Sequence, residues 1–300
     1  MKIVLLSGGK GSRLWPISTT EIPKQFIKLL SNSSNMLSQT YDAISKMTNK
    51  ENIYVASIKE YITNIKNSIK DFANLIIEPD CIGTFGAVLN IAMYFKEKNI
   101  GDDIIAVVPT DHHVDDNFYD CLVDSEELLK NSDSSICLVG IKPKFVSEHY
   151  GYITYENNRV LEFEEKPSIK KAEKLIDNGS LWNSGIIVFK INEIINLAKE
   201  YLEFDNYDEF LKKYHQLPHN SFDREVLEKK DNILITKSDS CWNDIGTWEV
   251  LAPMISEPDK FNTIIINFED KKIENVGIRD AIIINSANGL KLISKINNED

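Results

Sequence analysis

The chain has 300 residues, 42% of them apolar and 27% charged, with a net charge of −12 and an isoelectric point near 5.0. That length can bury a large core, as one α/β domain or one domain with an appendage, and the acidity excludes nucleic-acid binding through a general basic field. No apolar run approaches the roughly 20 residues that cross a bilayer, and Cys81, Cys121, Cys137 and Cys241 have no metal-like spacing, so reduced thiols and a cytoplasmic location are expected.

The first element is the apolar run Lys2 to Leu6, which reads as a buried parallel strand and is too short for a signal-peptide core. It opens into Ser7-Gly8-Gly9-Lys10-Gly11-Ser12-Arg13-Leu14-Trp15-Pro16, with Pro23-Lys24-Gln25-Phe26 close behind. Glycines let backbone amides approach a ligand, and amides with nearby cations make an anion site. Two familiar phosphate loops fail on spelling. No Lys stands where a Walker loop needs one, and the residue three after Gly11 is Leu14 rather than the last glycine of a dinucleotide fingerprint.

Farther along, strand-like runs alternate with helical ones. Ile53 to Ala56 precedes a helical stretch from Tyr61 to Phe72; Leu75 to Ile77 leads through a Gly-bearing loop to an apolar helix from Ala87 to Phe95. Ile104 to Val108 ends at Pro109 and is followed by an acidic helical pattern from Asp116 to Lys130, then Ile136 to Val139. This alternation predicts a Rossmann-like, mostly parallel sheet with helices on both faces. Past Gly151 come hairpin signals, Tyr152 to Tyr155 and Val160 to Glu164 around Asn157-Asn158, and then a buried strand from Gly185 to Phe189. The tail predicts short strands at Thr263 to Phe268, Lys272 to Val276, Ala281 to Asn285 and Leu290 to Ile293. Residues 1–257 therefore read as one catalytic domain and 258–300 as a small β-rich appendage. Its strand edges suit self-association, so a homodimer is the expected assembly.

Ser-Gly-Gly-x-Gly-Ser-Arg-Leu-Trp-Pro followed by Pro-Lys-Gln-Phe resembles the signature of the sugar nucleotidyltransferases, and in particular is similar to the mannose-1-phosphate guanylyltransferases. About seven ordered segments across residues 1–250 carry the resemblance. It implies the nucleotide-diphospho-sugar transferase fold and an appendage like the start of a left-handed β-helix. The implied reaction is attack of a sugar-1-phosphate oxygen on the α-phosphorus of a nucleoside triphosphate, with pyrophosphate leaving. Such chemistry needs positioning and charge neutralisation more than covalent help.

The roles of residues follow by the same resemblance. Arg13 and Lys24 are the catalytic cations. Ser7, Gly8, Gly9, Gly11, Ser12, Glu78, Thr84 and Pro109 face the nucleotide. Pro109-Thr110-Asp111-His112 matches Pro-Ala-Asp-His, and Trp242-Asn243-Asp244-Ile245-Gly246-Thr247-Trp248 matches Trp-x-Asp-x-Gly-x-Trp, so Asp111 and Asp244 are the ligands of a Mg²⁺. On spelling alone Asp111 is equally a helix N-cap, and His112-His113 lacks a third ligand for zinc. Gly151 in Tyr-Gly-Tyr, Glu165 and Lys166 in Phe163-Glu164-Glu165-Lys166-Pro167, and Asn183 in Leu181-Trp182-Asn183-Ser184-Gly185 face the sugar phosphate. Asn183 is expected to offer both donor and acceptor to a hydroxyl pair, and Asp223, in Ser221-Phe222-Asp223 followed by Glu228, to play a supporting part.

One segment departs. Where the family has Gly-Arg-Asn-Thr-Ala-Pro-Ala, this chain has Cys81-Ile82-Gly83-Thr84-Phe85-Gly86-Ala87. GTP with mannose-1-phosphate is the expected substrate pair. Uridylyl, thymidylyl or cytidylyl transfer to another hexose or heptose phosphate is the alternative, because unmatched polar edges of a base decide such discrimination. A catalytically silent nucleotide-sugar sensor would bind without releasing pyrophosphate.

Overall fold

The structure, a computed structural model, describes residues 1–300 apart from 10, 30–33, 71–73, 101–102, 116, 271 and 295–300, and apart from the Ser12 side chain. The N-terminal half alternates β1 (Lys2–Leu6), α1 (Met36–Ser45), β2 (Ile53–Ile58), α2 (Ile62–Ser68), β3 (Leu75–Glu78), α3 (Thr84–Glu97) and β4 (Ile104–Pro109). A short β5 (His112–Val114), α4 (Cys121–Lys130) and β6 (Ile136–Ile141) follow. Next come the hairpin β7 (Gly151–Glu156) and β8 (Arg159–Glu165), α5 (Ile169–Asp177), β9 (Leu181–Lys190), α6 (Ile191–Tyr201) and α7 (Tyr207–Lys213). The chain ends with β10 (Ile233–Ser238), β11 (Trp242–Asp244), α8 (Trp248–Ile255), β12 (Ile264–Asn267), β13 (Ala281–Ser286) and β14 (Gly289–Ser294).

Among the described residues, one nine-stranded sheet runs β3-β2-β1-β4-β9-β6-β10-β8-β7. The first four strands are parallel, as the β–α alternation predicts, and so are β6 and β10. Strand β9 runs antiparallel to both β4 and β6, and the β7–β8 hairpin adds an antiparallel edge. Continuous parallel pairing thus belongs to the N-terminal half, where helical crossovers join β1 to β4; the second half mixes the parallel β6–β10 pair with the antiparallel β9 and the tight-turned β7–β8 hairpin.

Helices cover both faces. α3, α6 and α7 bury Phe85, Val88, Ile194, Ala198 and Phe210 on one side; α1, α2, α4 and α5 bury Leu37, Ile65, Leu122 and Leu175 on the other. Ten of the fourteen residues of α3 are buried, so it is apolar all round and sits between the sheet and a second helix layer. A third cluster joins the tail to the N-terminal loop: Leu14, Leu29, Trp248 and Leu251 pack with Ile264, Ile282 and Ile284.

Local differences from the sequence pattern have local causes. Helix α3 begins at Thr84, earlier than its apolar run, and the 116–130 pattern becomes a 3₁₀ turn, Phe118–Asp120, before α4; Phe72 and Asp116 lie outside the described residues. The segment read as a buried strand from Gly185 is the second half of β9, which already includes Asn183. The strand expected at Lys272 to Val276 does not form. Asn275 instead uses its side chain on the Ile278 N–H and carbonyl, both at 2.8 Å, and on Asp259, which ties this stretch into a turn. In the tail β12 pairs parallel with β13, as successive coils of a β-helix would, while β14 folds back antiparallel as a hairpin.

Candidate active site

Strand β1 delivers the glycine loop to the C-terminal edge of the parallel strands, where open α/β sheets hold ligands. The loop is anchored through its carbonyls. Gln25 Nε2 donates to the Ser7 and Gly9 carbonyls at 3.0 and 3.1 Å, Ser57 Oγ donates to the Ser7 carbonyl at 2.8 Å, and Cys81 Sγ donates to the Gly8 carbonyl. Among the described residues the Gly8, Gly9 and Gly11 amides have no hydrogen-bond acceptor. A loop with carbonyls tied back and amides free is an anion cradle. Gly11 adopts φ +53°, and a Cβ there would lie 2.7 Å from Lys24 Cβ, so only glycine lets the loop and Lys24 meet.

Lys24 sits on a 3₁₀ turn, its side chain 5% exposed, with Nζ 3.0 Å from Asp111 Oδ2 and 3.1 Å from Asp244 Oδ1. The two carboxylates, distant in sequence, are brought together by a ladder. β5 and β11 pair antiparallel with Asp244 opposite His112, one residue from Asp111. His112 is held by Trp242, whose Nε1–H donates to His112 Nδ1 at 3.2 Å, leaving Nε2 to face Asp111. Burial presses the Lys24 pKa down, but Asp111 and Asp244 outweigh it and raise it above the ordinary lysine value. Desolvation pushes the Asp111 carboxyl up, and Lys24 and His112 overcome that to hold it well below the usual range.

Lys24 Nζ marks the point where both carboxylates converge on one positive charge, so the donor set suits a cation. No group of three or more His, Cys, Asp or Glu side chains gathers for a metal among the described residues. Two carboxylates with room for phosphate oxygens and water are what Mg²⁺ takes, so the residues fit that ion.

Above this floor opens a cavity of about 460 Å³. Gly9, Gly11, Arg13, Lys24, Thr84, Pro109, Asp111 and Asp244 line it together with Glu165 and Lys166. Ten of the residues singled out from sequence are thus gathered around one space. Others stand behind it. Ser7 is buried at the end of β1, its N–H bonded to the Ala56 carbonyl. Gly151 lies against Glu165, and Asn183 against Asp223. The Ser12 side chain lies outside the described residues.

Glu78, at the end of β3, is 3% exposed and packs against Gly8, behind the loop. Its Oε1 has no hydrogen-bond partner among the described residues. Burial pushes its carboxyl up to about 7, with the Tyr214 hydroxyl working in the opposite direction. The folded state therefore binds this proton more tightly than the unfolded chain, so stability falls as pH rises from about 4.5 to about 7, by roughly 3 kcal/mol. Glu78→Gln is expected to remove that fall, making the variant more stable than the parent at pH 8 and no more stable at pH 4.5. Urea unfolding of both proteins at the two pH values measures it; parallel stability curves would mean that the carboxylate is ionised in the fold.

Among the lining residues, Gln25, which pins the loop, and His112, which faces Asp111, had no site role in the sequence reading, while Asp223, expected to play a supporting part, lies beside Glu165. All three stand inside motifs already visible, Pro-Lys-Gln-Phe, Asp-His and Ser-Phe-Asp, but their contacts are long-range. In the departing segment, Ile82 is buried in the core, and Gly83 presses its backbone on Asn220.

An α/β fold with an amide cradle, two cations and a carboxylate pair at the strand ends defines a transferase of phosphorylated nucleotides. The profile described as "Nucleotidyl transferase" matches residues 2–257, and the chain belongs to that family. It is 28% identical to the mannose-1-phosphate guanylyltransferase of Escherichia coli over 97% of this chain and 72% of that protein. Among solved structures it is similar to mannose-1-phosphate geranyltransferase from Thermus thermophilus, with a TM-score of 0.81 and 24% identity, covering 98% of this chain and 95% of that one. It is similar also to a putative glucose-1-phosphate thymidylyltransferase from Bacillus anthracis, with a TM-score of 0.59 and 18% identity over 84% of this chain and 93% of that one. No helix among the described residues is long and apolar enough to cross a membrane.

Proposed function

We propose that this protein transfers a guanylyl group from GTP to mannose-1-phosphate, giving GDP-mannose and pyrophosphate, with residues 1–257 as the catalytic domain and 258–300 as an appendage packed on it. The observation that carries the reading is the convergence of Lys24, Asp111 and Asp244 in a cavity that Arg13, Glu165 and Lys166 also line. The E. coli relative's name supplies the substrate pair.

In this reading a phosphate oxygen of the sugar phosphate attacks the α-phosphorus in line, the α–β P–O bond breaks, and its electron pair leaves on pyrophosphate. The amides of Gly8, Gly9 and Gly11 and the Arg13 guanidinium hold the triphosphate and stabilise the leaving pyrophosphate. Lys24 moves from its carboxylates to the attacked phosphate and neutralises the charge that develops there. Asp111 and Asp244 would hold Mg²⁺, which supplies further neutralisation of phosphate oxygens when bound. Thr84 and Pro109 frame the nucleotide with Glu78 behind the glycine loop, while Glu165 and Lys166, backed by Gly151 and Asn183, form the sugar-phosphate side.

A second reading keeps the mechanism and changes the base. Ile82, which stands where the family has Arg, is 3% exposed and offers a base no polar group. Purified protein with mannose-1-phosphate, Mg²⁺ and each nucleoside triphosphate in turn tests both. Pyrophosphate release with GTP alone is the expected result. Preference for UTP, dTTP or CTP would transfer the reading to another base, and binding without release from any pair would overturn catalysis.

A further inference from the structure

Asp223 and Glu228 stand five residues apart in a segment that nucleotide and metal chemistry leaves unused. In an α-helix, positions five apart point about 140° away from each other. Here the chain makes a π-helical turn over Asp223–Leu227, closed by the Glu228 N–H donating to the Asp223 carbonyl at 3.0 Å. The wider turn brings both acids to one side, and both meet the end of β8. Glu228 Oε1 accepts the Glu165 N–H at 3.1 Å, and the Asp223 side chain joins Glu165 in lining the cavity. Such single π turns recur at functional sites.

Asp223 is also held from β9. Asn183 Nδ2 donates to Asp223 Oδ1 at 2.8 Å, while Asn183 Oδ1 accepts the Gly185 N–H at 3.1 Å, so the amide is locked with its donor on the aspartate. Asn183 is not among the residues lining the cavity, and its Oδ1 and one Nδ2–H are already engaged inside the protein. Asp223, which lines the cavity, therefore offers a carboxylate acceptor there. Glu165 contributes a second, its other oxygen being paired with Lys166. Two anchored acid acceptors beside a lysine suit a polyhydroxylated ring carrying a phosphate, since each ring hydroxyl has a proton to donate. Burial and the Glu165 charge push the Asp223 carboxyl up to about 6, against the pull of Lys166 and Asn183.

We infer that Asp223 is a specificity-determining acceptor for one ring hydroxyl of the sugar phosphate, opposite Glu165, and that Asn183 and the π turn are positioning elements that aim it. The assignment rests on the sugar-1-phosphate reading above.

The test compares the parent protein with Asp223→Ala and Asp223→Asn on mannose-1-phosphate and its 2-, 3-, 4- and 6-deoxy analogues, reading kcat and KM. The parent is expected to lose roughly 10- to 100-fold in kcat/KM on one analogue. Asp223→Ala is expected to lose as much on mannose-1-phosphate itself, mainly through KM, and to treat mannose-1-phosphate and that analogue alike within about threefold. Asp223→Asn falls between, the KM for GTP stays unchanged, and Asn183→Ala weakens discrimination against the same analogue. Discrimination that survives intact in Asp223→Ala, or a uniform loss on all sugars, would reduce Asp223 to a structural part and overturn the inference. If the parent turns over no sugar phosphate, the transfer reading falls separately, and calorimetric binding of mannose-1-phosphate decides Asp223. Affinity at least tenfold weaker in Asp223→Ala would support it, and equal or no binding would overturn it.

Discussion

Lys24→Ala is expected to lower kcat by roughly 10²- to 10³-fold, the size of effect seen when one preorganised charge or donor is removed from a developing anion. The lysine is nearly buried, and its ammonium is shared between Asp111 at 3.0 Å and Asp244 at 3.1 Å. With a pKa above the ordinary lysine value, it stays charged throughout the working pH range. Removing it takes from the proposed mechanism the cation at the attacked phosphate and leaves two carboxylates facing one another. That second consequence separates a chemical role from a packing one. With Asp111 and Asp244 as the proposed Mg²⁺ ligands, the ion would compete with Lys24 for the carboxylate pair in the parent and find the pair free in the variant. Mg²⁺ alone should therefore raise the melting temperature of Lys24→Ala by several degrees more than it raises that of the parent. Lys24→Met, which keeps the volume, should behave like Lys24→Ala on both counts. Single-turnover pyrophosphate release and melting curves with and without Mg²⁺ measure the two effects. Turnover within threefold of the parent would remove Lys24 from the chemistry.

Gly83→Ala is expected to damage both stability and sugar handling. Gly83 stands at φ +109° and ψ 170°, in a region open only to glycine, and a Cβ there would lie 2.2 Å from the Asn220 carbonyl oxygen. Backbone faces backbone, so no side-chain rotation relieves the clash. The segment that must yield is bonded to the start of α3 twice: the Phe85 N–H donates to the Asn220 carbonyl at 3.2 Å, and the Phe222 N–H to Thr84 Oγ1 at 2.8 Å. Asp223 follows directly. Strain and steric overlap together should cost about 3 kcal/mol or more, and the shift of residues 220–223 should raise the KM for the sugar phosphate more than the KM for the nucleotide. Gly83→Asn, which restores the residue type usual in the family at this place, should fare no better, because asparagine does not reach this φ and ψ. Urea unfolding with steady-state kinetics on both substrates checks the prediction. A variant as stable as the parent with unchanged constants would show that the 83–220 contact bears on neither fold nor site.

The same contact explains why the altered segment was unreadable from spelling. An Asn-to-Gly replacement looks like the loss of a base contact, whereas the structure uses the missing Cβ to seat the loop on Asn220, far along the chain. Glu78 is comparable. Its place before Pro79 suggested the nucleotide, but only packing against Gly8 and burial near Tyr214 explain its raised pKa.

What local spelling decides here is whatever depends on neighbours in sequence. The strand into the glycine loop, the alternation from Ile53 to Val139 and the placing of Asp111 at a strand end follow from apolar periodicity and from the chain reversals glycine and proline permit. The candidate site residues were legible for the same reason, since the loop, Lys24, Asp111, Glu165 and Asp244 each sit in a compact motif. Convergence was not. Asp111 meets Asp244 only because β5 pairs with β11, Asn183 reaches Asp223 by a hydrogen bond between separate elements, and the tail joins the core through Leu14 and Trp248. Strand pairing, π-turn geometry and side-chain hydrogen bonds across long stretches of chain are satisfied by the whole fold at once, and no window of sequence contains both partners.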